Sequence, residues 1–288
     1  MTCDYTLDQV EALRDLRYHR TPSLRLHNED QALEYVDKVG FCFLFGDQDV
    51  EIPTLWAAIT GSRRDVPSDH FDADVGRTWE WKDSLPVRGL IYYGKLLRAK
   101  PTLVSLGLLP CFYALSPNYG ELDDYLEQYR DGLLSLEARN VYEALLKEGA
   151  MATSRLRQVV GLPGGGANAR RFDRALAELQ VGLQIVKVGI SDANRWGYAY
   201  VYDLFLRRFP TVPALARTIT RRDAMGKLLS VYLHNVIVQS EAVTQRLFRW
   251  DSREWEQLLA DLAGRGLLRR DITVEGLPGD LLGLSPNS

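Results

Sequence analysis

Between Ser135 and Leu204 the apolar positions keep helical spacing three times and then turn to alternation. In "SLEARNVYEALLKEG", Leu136, Val141, Tyr142, Leu145 and Leu146 share one helix face, with Ser135 as its N-cap and Gly149 as its stop. A short second helix, "SRLRQVV", takes Thr153 or Ser154 as its cap and closes at Gly161. "ANARRFDRALAELQVG" is the third, turning Phe172, Leu176 and Leu179 inward. In "LQIVKVGISDANRWGYAYVYDLF", Ile185, Val186 and Val188 lead into a polar turn at residues 191–194, and alternating residues lead out. Three helices followed by a hairpin is the order of a winged helix.

The order recurs downstream. Met225, Leu228, Leu229, Tyr232, Leu233 and Val236 line one face of a long helix, "SEAVTQRLFRW" supplies a second, and Asp251 with Glu254 opens a third in the manner of a capping box. "LLRRDITVEG" then reads as a strand entering a turn. In the first 134 residues, "EDQALEYVDKVGF" and "IPTLWAAITG" predict helices, and "FCFLF" between them is a buried strand or a loop packed on a core. "SRRDVPSDHFDADVGRTW" is expected as a polar loop. "KLLRAKPTLVSLGLLPCFYALS" is expected to begin helical and to be broken by Pro101 and Pro110, and "PNYGELDDYLEQYRDG" predicts an acidic linker helix. The expected fold class is mainly α with small β-hairpins, an α+β mix of tandem winged-helix (helix-turn-helix) units. The expected divisions are an N-terminal unit at 1–134, a central winged helix at 135–210 and a C-terminal one at 211–288.

The composition alters this picture little. Apolar and charged fractions of 46% and 25% over 288 residues are those of a folded globular chain. A net charge of −3 gives no global attraction to a polyanion, so any such case rests on local clustering of the 35 Lys and Arg. Cys3, Cys42 and Cys111 are odd in number and lack a CxxC pair, which argues against a disulfide framework and a thiolate zinc site. No signal-like opening and no run near the roughly 18 apolar residues of a membrane span is present, so a cytoplasmic location is expected.

"GLPGGGANARR", residues 161–171, has the glycines of a phosphate cradle. It lacks a strand leading in, a Gly-Lys-Ser/Thr ending and the lysine that would reach a phosphate, so it reads as the turn between two helices. His70, Asp72 and Asp74 offer too few oxygen donors for a hard cation, and an acidic surface loop is the expectation. His19, His27 and His234 are isolated. No metal and no cofactor is expected.

Two clusters suit nucleic acid. From Gly76 to Lys100, Arg77, Lys82, Arg88, Lys95, Arg98 and Lys100 face only Glu80 and Asp83, and Trp79, Trp81, Tyr92 and Tyr93 are interleaved with them. Cations beside stacking rings suit a displaced base, whereas the plain alternative makes the rings core and the charges surface. In the central unit, Asn168, Arg170, Arg171 and Arg174 lie in the first turns of the third helix, with Lys187, Arg195 and Trp196 on or near the wing. A helix N-terminus and a basic hairpin are duplex contacts of this architecture, although Asp173 and Glu178 interrupt the basic face. Tyr198, Tyr200 and Tyr202 share one side of a strand and are expected to pack against a neighbour.

With these units laid out, the chain resembles the winged-helix DNA glycosylases of the AlkZ and YcaQ type, which excise alkylated or crosslinked bases. The resemblance is carried by "LEARNVYEALLKEG…RRFDRALAELQVGLQIVKVG" and "RRDAMGKLLSVYL…WEQLLADLAGRGLLRRDITVEG", and more weakly by "YVDKVGFCFLFGDQDVEIPTLWAAI". It implies a stack of winged helices with a concave DNA-binding surface. It also implies a Gln-apolar-Gln pair that holds the attacking water, at the stretch matched here by Gly40 to Gly46. That stretch is "GFCFLFG" and has no glutamine, and Gln48 stands beyond it between Asp47 and Asp49. The carboxylates nearest these regions, Glu51 and Asp83, are the candidate replacement bases.

The leading expectation is therefore a DNA-binding protein that hydrolyses the N-glycosidic bond of a damaged base in duplex DNA, with no membrane role. The alternative is a non-catalytic transcription regulator or a scaffold for protein partners built on the same winged helices.

Overall fold

In the computed structural model, residues 3–68, 71–191 and 199–286 are described. Their elements are helices with small, mostly antiparallel sheets, an α+β mix. The chain forms two compact units, one of residues 82–220 and one that joins residues 1–81 to 221–288. The division falls within the helix Ala73–Val87.

Within residues 82–220 the helices Leu136–Glu148, Thr153–Val159 and Gly166–Val181 lie where the sequence pattern put them, but the second is not capped by Thr153 or Ser154: Ala152 is its N-cap, and the Thr153 hydroxyl donates to the Tyr200 carbonyl at 3.3 Å instead. The Ser135 hydroxyl accepts from the Ala138 N–H at 3.2 Å, and Gly149 ends the helix at a φ of +85°. Three strands complete the group, with Ala199–Leu204 lying between Met151–Ala152 and Ile185–Ser191, antiparallel to both. Val141, Leu145, Leu156, Phe172, Leu179 and Leu204 are fully buried between helices and sheet. Such side chains stabilise the unit by about 1.5–3 kcal/mol each. The glycine loop turns between the second and third helices. Gly161, Gly164 and Gly166 all have φ between +63° and +78°, a region that side chains disfavour, while Leu162 anchors the loop in the core.

The stretch from Gly89 to Ser105 departs from expectation. It is a hairpin of Ile91–Lys95 and Pro101–Ser105, paired from Ile91 with Ser105 to Lys95 with Pro101, and no helix begins it. Arg98 and Ala99 make its turn at φ of +53° and +55°. Pro101, which has no N–H to donate, sits at the strand's first residue, where proline is tolerated. The helices Leu109–Ala114 and Asp124–Arg130 follow, the second in the place expected for a linker helix.

In the other unit, Thr6 and Gln9 form a capping box at the start of Leu7–Arg17. The helices Glu29–Val39 and Leu55–Thr60 flank the strand Phe41–Phe43, whose residues are all buried. From the distal segment come Arg221–Val236, Glu241–Phe248 and Ser252–Gly264, together with the strand Leu281–Leu284 between Val238–Gln239 and Leu268–Ile272. The two segments are bound at many points. Tyr5–Thr6 pairs in parallel with Val274–Glu275, and Val10 packs on Val238, Ile272 and Val274. The buried Arg14 donates from Nε to the Val236 carbonyl at 2.9 Å and from Nη2 to that of Val238 at 2.8 Å. Among the described residues no helix is long and apolar enough to cross a membrane.

Candidate functional site

A cavity of about 420 Å³ opens where the strand Phe41–Phe43 runs into the helix Leu55–Thr60. Local sequence explains its shape. The Phe43 N–H donates to the Pro53 carbonyl and the Trp56 N–H to that of Leu44, so residues 44–53 arch outward as a loop. Asp47 tightens the loop by accepting the Asp49 N–H at 2.9 Å. Thr54 caps the helix, and Gly61 ends it in the left-handed conformation before Arg63 and Arg64. Tyr18, Arg20, Phe45, Gln48, Glu51 and Trp56 thereby share the wall of one cleft with both arginines.

The walls differ in chemistry. Phe45 and Trp56 form an aromatic side, with ring centres 6.1 Å apart. The Trp56 indole N–H donates to the Arg64 carbonyl at 2.6 Å, which fixes the ring, and the Arg64 guanidinium lies over it at 5.7 Å. The opposite side is ionic. Arg20 reaches Asp15 at 2.8 Å and Glu51 at 3.5 Å, and Arg63 reaches Asp15 at 2.9 Å and Glu11 at 2.7 Å. The Glu51 backbone is held by the Tyr232 hydroxyl, which donates to its carbonyl at 2.9 Å. Its carboxylate is half-buried and, among the described residues, is bound at one long contact, so it lines the cleft with capacity to accept. The Tyr18 hydroxyl is buried beneath Arg20 without a hydrogen-bond partner among the described residues, and burial pushes its pKa well up.

Of the residues singled out in the sequence, Glu51 alone among the two candidate bases reaches this cleft. Asp83 is buried in an ion pair with Lys82, 2.6 Å from its Nζ, and is no surface base. The aromatic and basic cluster of residues 76–100 divides in the same way. Trp79 is 46% exposed, but Trp81 and Lys82 are 4% and 1% exposed, and Tyr92 and Tyr93 are buried too. The expectation that Trp81 and Lys82 face DNA is thus corrected by burial. Arg77 pairs with Asp74 at 3.1 Å, Arg98 is half-buried, and the Lys95 backbone N–H is bound by Gln180 at 3.2 Å. The Asp72 carboxylate caps the helix Ala73–Val87 and binds Arg64, while Asp74 binds Arg25, so these acids have structural partners.

On the helix Gly166–Val181, Arg170 and Arg174 are exposed, Arg171 is held by Glu137 at 2.8 Å from Nε, and the Asn168 amide donates to the Pro163 carbonyl at 3.2 Å. Lys187 is half-buried within its own unit. Tyr200 and Tyr202 pack on each other with ring centres 6.4 Å apart. His70, Arg195, Trp196 and Tyr198 lie outside the described residues.

A model of the family described as AlkZ related matches residues 26–249. The chain belongs to the AlkZ-related family. Among solved structures, the AlkZ-related chain is similar to Streptomyces sahachiroi DNA glycosylase AlkZ, with a TM-score of 0.56 and 13% identity, over 97% of this chain and 70% of that one. At that identity the likeness is one of fold. No curated protein matches the sequence. In this AlkZ-related chain the stretch from Gly40 to Gly46 is in the core as far as Leu44, so Phe41 and Phe43 fill space and cannot orient a water. The cavity was only partly legible beforehand. Glu51 stood out as a carboxylate after the strand, whereas Tyr18, Arg20, Arg63 and Arg64 are brought in by tertiary folding and carry no local signal.

Proposed function

We propose that this AlkZ-related protein binds duplex DNA containing a damaged base and hydrolyses its N-glycosidic bond, with the cleft beside Phe41–Phe43 receiving the extruded base. The observation that carries this reading is the cleft itself. It pairs an aromatic wall with an available carboxylate, Glu51, just beyond the stretch that matches the catalytic pair of the glycosylases this chain resembles. An extruded base needs stacking faces and hydrogen-bonding groups, and Phe45, Trp56 and the exposed Gln48 provide them. Bond breaking at the sugar C1′ develops positive charge, which a carboxylate stabilises while it takes a proton from the attacking water. Arg20, 3.5 Å from Glu51, holds the carboxylate at the cleft wall.

The duplex is gripped elsewhere. The three helices and hairpin of residues 135–210 form a winged helix in this reading. A second is formed by residues 211–288, and the N-terminal 134 residues carry the cleft. Arg170 and Arg174 face phosphates from the first turns of the helix Gly166–Val181 and are joined by Asn168 and Arg171. Lys95 and Arg98 are further phosphate contacts of the same unit, Arg77 and Trp79 are DNA contacts of the other, and the protein acts in the cytoplasm.

The decisive experiment is base release from alkylated and crosslinked duplexes. Glu51→Gln keeps size and lowers release about 10²–10⁴-fold, the usual contribution of a general base. Binding to the same duplexes, followed by fluorescence anisotropy at two salt concentrations, stays within about twofold, since phosphate contacts carry it. Absence of base release by the unaltered protein from every damaged duplex tried would defeat the catalytic reading. Binding that ignores salt would defeat the DNA reading.

A further inference from the structure

The strand Ile185–Ser191 brings a lysine between two phenol rings. Lys187 Nζ lies 3.8 Å from the ring centre of Tyr200 and 4.1 Å from that of Tyr93. The neighbouring carboxylate is engaged with a different lysine, since Lys82 Nζ stands 2.6 Å from Asp83 Oδ1 and donates to the Tyr200 hydroxyl at 2.7 Å. Lys187 therefore has aromatic faces on two sides and a second, pinned cation beside it. All these groups belong to the unit of residues 82–220.

This is unusual company for an ammonium ion. A cation gains from a ring face, yet it loses hydration and is repelled by a like charge nearby. Among the described residues, the groups around it are Lys82 and Asp83 from the helix, Tyr93 and Lys95 from the hairpin strand, and Tyr200 from the paired strand. Burial, followed by the charge of Lys82, drives the Lys187 ammonium down to about 7, with Asp83 opposing and Lys95 reinforcing. Half of such side chains carry a free lone pair near neutrality, whereas an ordinary surface lysine, with a pKa of about 10.4, has almost none. A desolvated amine next to another cation is the arrangement that makes lysine a nucleophile toward carbonyls.

We propose that Lys187 is a nucleophilic amine that condenses with the aldehyde of an abasic deoxyribose, giving the protein a strand-cleaving activity that follows base loss. The choice of aldehyde rests on the DNA reading above, while the reactivity of the amine does not. The lone pair of Nζ adds to C1′ as the carbonyl oxygen takes up a proton, and loss of water from the carbinolamine leaves a protonated imine. Removal of a C2′ proton by water sends its electron pair toward the imine and expels the 3′ phosphate. Hydrolysis of the conjugated imine then returns Lys187 and an unsaturated aldehyde. The sequence uses only water and needs no oxidant or reductant.

The test uses the full chain and cyanoborohydride, which reduces an imine to a stable amine. One arm offers a labelled duplex with a single abasic site, the other glycolaldehyde alone, both at about pH 7, and adducts are mapped by peptide mass spectrometry. Glycolaldehyde is expected to label Lys187 about a thousandfold faster than surface lysines, from the larger free-amine fraction. The abasic duplex is expected to give an adduct at the same residue. Lys187→Arg, which keeps a cation over the rings, and Lys187→Ala both abolish it, and unaltered urea midpoints confirm that the variants fold. No preferential labelling of Lys187 in either arm overturns the nucleophile. Labelling by glycolaldehyde without any by the duplex overturns the abasic-DNA substrate and leaves the amine's reactivity established.

Discussion

At the scale of single residues, charge in this protein is decided by partners more than by position along the chain. Lys82 and Lys187 look like surface lysines in the sequence, yet each sits among tyrosines, and their distinguishing contact, Tyr200, is more than a hundred residues from Lys82 in the chain. Asp4 illustrates the reverse case at the surface. Hydrogen bonds from Arg269 and then from the Thr273 backbone hold its carboxyl at about 2, against an ordinary 3.8. A depressed carboxylate contributes stability that is complete above its unfolded value and disappears as pH falls through the folded one. The Asp4 contribution is accordingly lost between about pH 4 and pH 2. Arg269→Ala is expected to return the Asp4 titration, followed by carbon-detected NMR, most of the way to 3.8. A titration that stays near 2 would assign the shift to Thr273 alone.

At the scale of elements, the helices with one apolar stripe and a clear cap were readable, and the buried strands were not. Leu136–Glu148 and Arg221–Val236 appear where their spacing put them. Ile91–Lys95 escaped because Ile91, Tyr92 and Tyr93 are all buried, so the strand shows no alternation to separate it from a helix. The cleft was legible only at Gln48 and Glu51, because Tyr18 and Arg20 arrive from another part of the chain and Arg63 and Arg64, just past the helix Leu55–Thr60, are turned toward it only by the fold. Ser135 shows how much one cap holds. Its hydroxyl accepts from the Ala138 N–H and donates to Glu178 at 2.9 Å, while its own N–H donates to the same carboxylate at 2.6 Å. Ser135→Ala removes both hydroxyl bonds and is expected to cost about 1–2 kcal/mol. Chemical denaturation would register this as a lower midpoint with an unchanged slope, and a shift within error would mean that Glu178 alone caps the helix.

For the whole molecule, the important fact is that one unit is made of two distant segments with the other unit inserted between them. The cleft lies in residues 18–66, but its floor depends on the distal segment, where Tyr232 holds Glu51 and the Asn235 amide donates to the Val39 carbonyl at 2.8 Å. Arg14 meets Val236 across a separation of 222 residues. A chain ended at residue 220 is expected to lose amide protection throughout Leu7–Arg17 and Glu29–Val39 while Leu136–Glu148 stays protected, as hydrogen exchange would report. Undiminished protection of the first two helices would show that the N-terminal segment folds unaided.

The same interruption sets an order of events during synthesis. Residues 1–81 leave the ribosome first, yet the groups that Arg14, Glu51 and Val39 engage, on Val236, Tyr232 and Asn235, are translated only after the whole inserted unit. At 5–20 residues per second that delay is on the order of ten seconds. During it, Phe41, Phe43 and Val10 lack their complete surroundings and are exposed to misassociation. The inserted unit, contiguous in sequence, has no such wait. A nascent chain of this protein therefore acquires its basic helix and Lys187 before it acquires its cleft, and a stalled product would carry the first without the second.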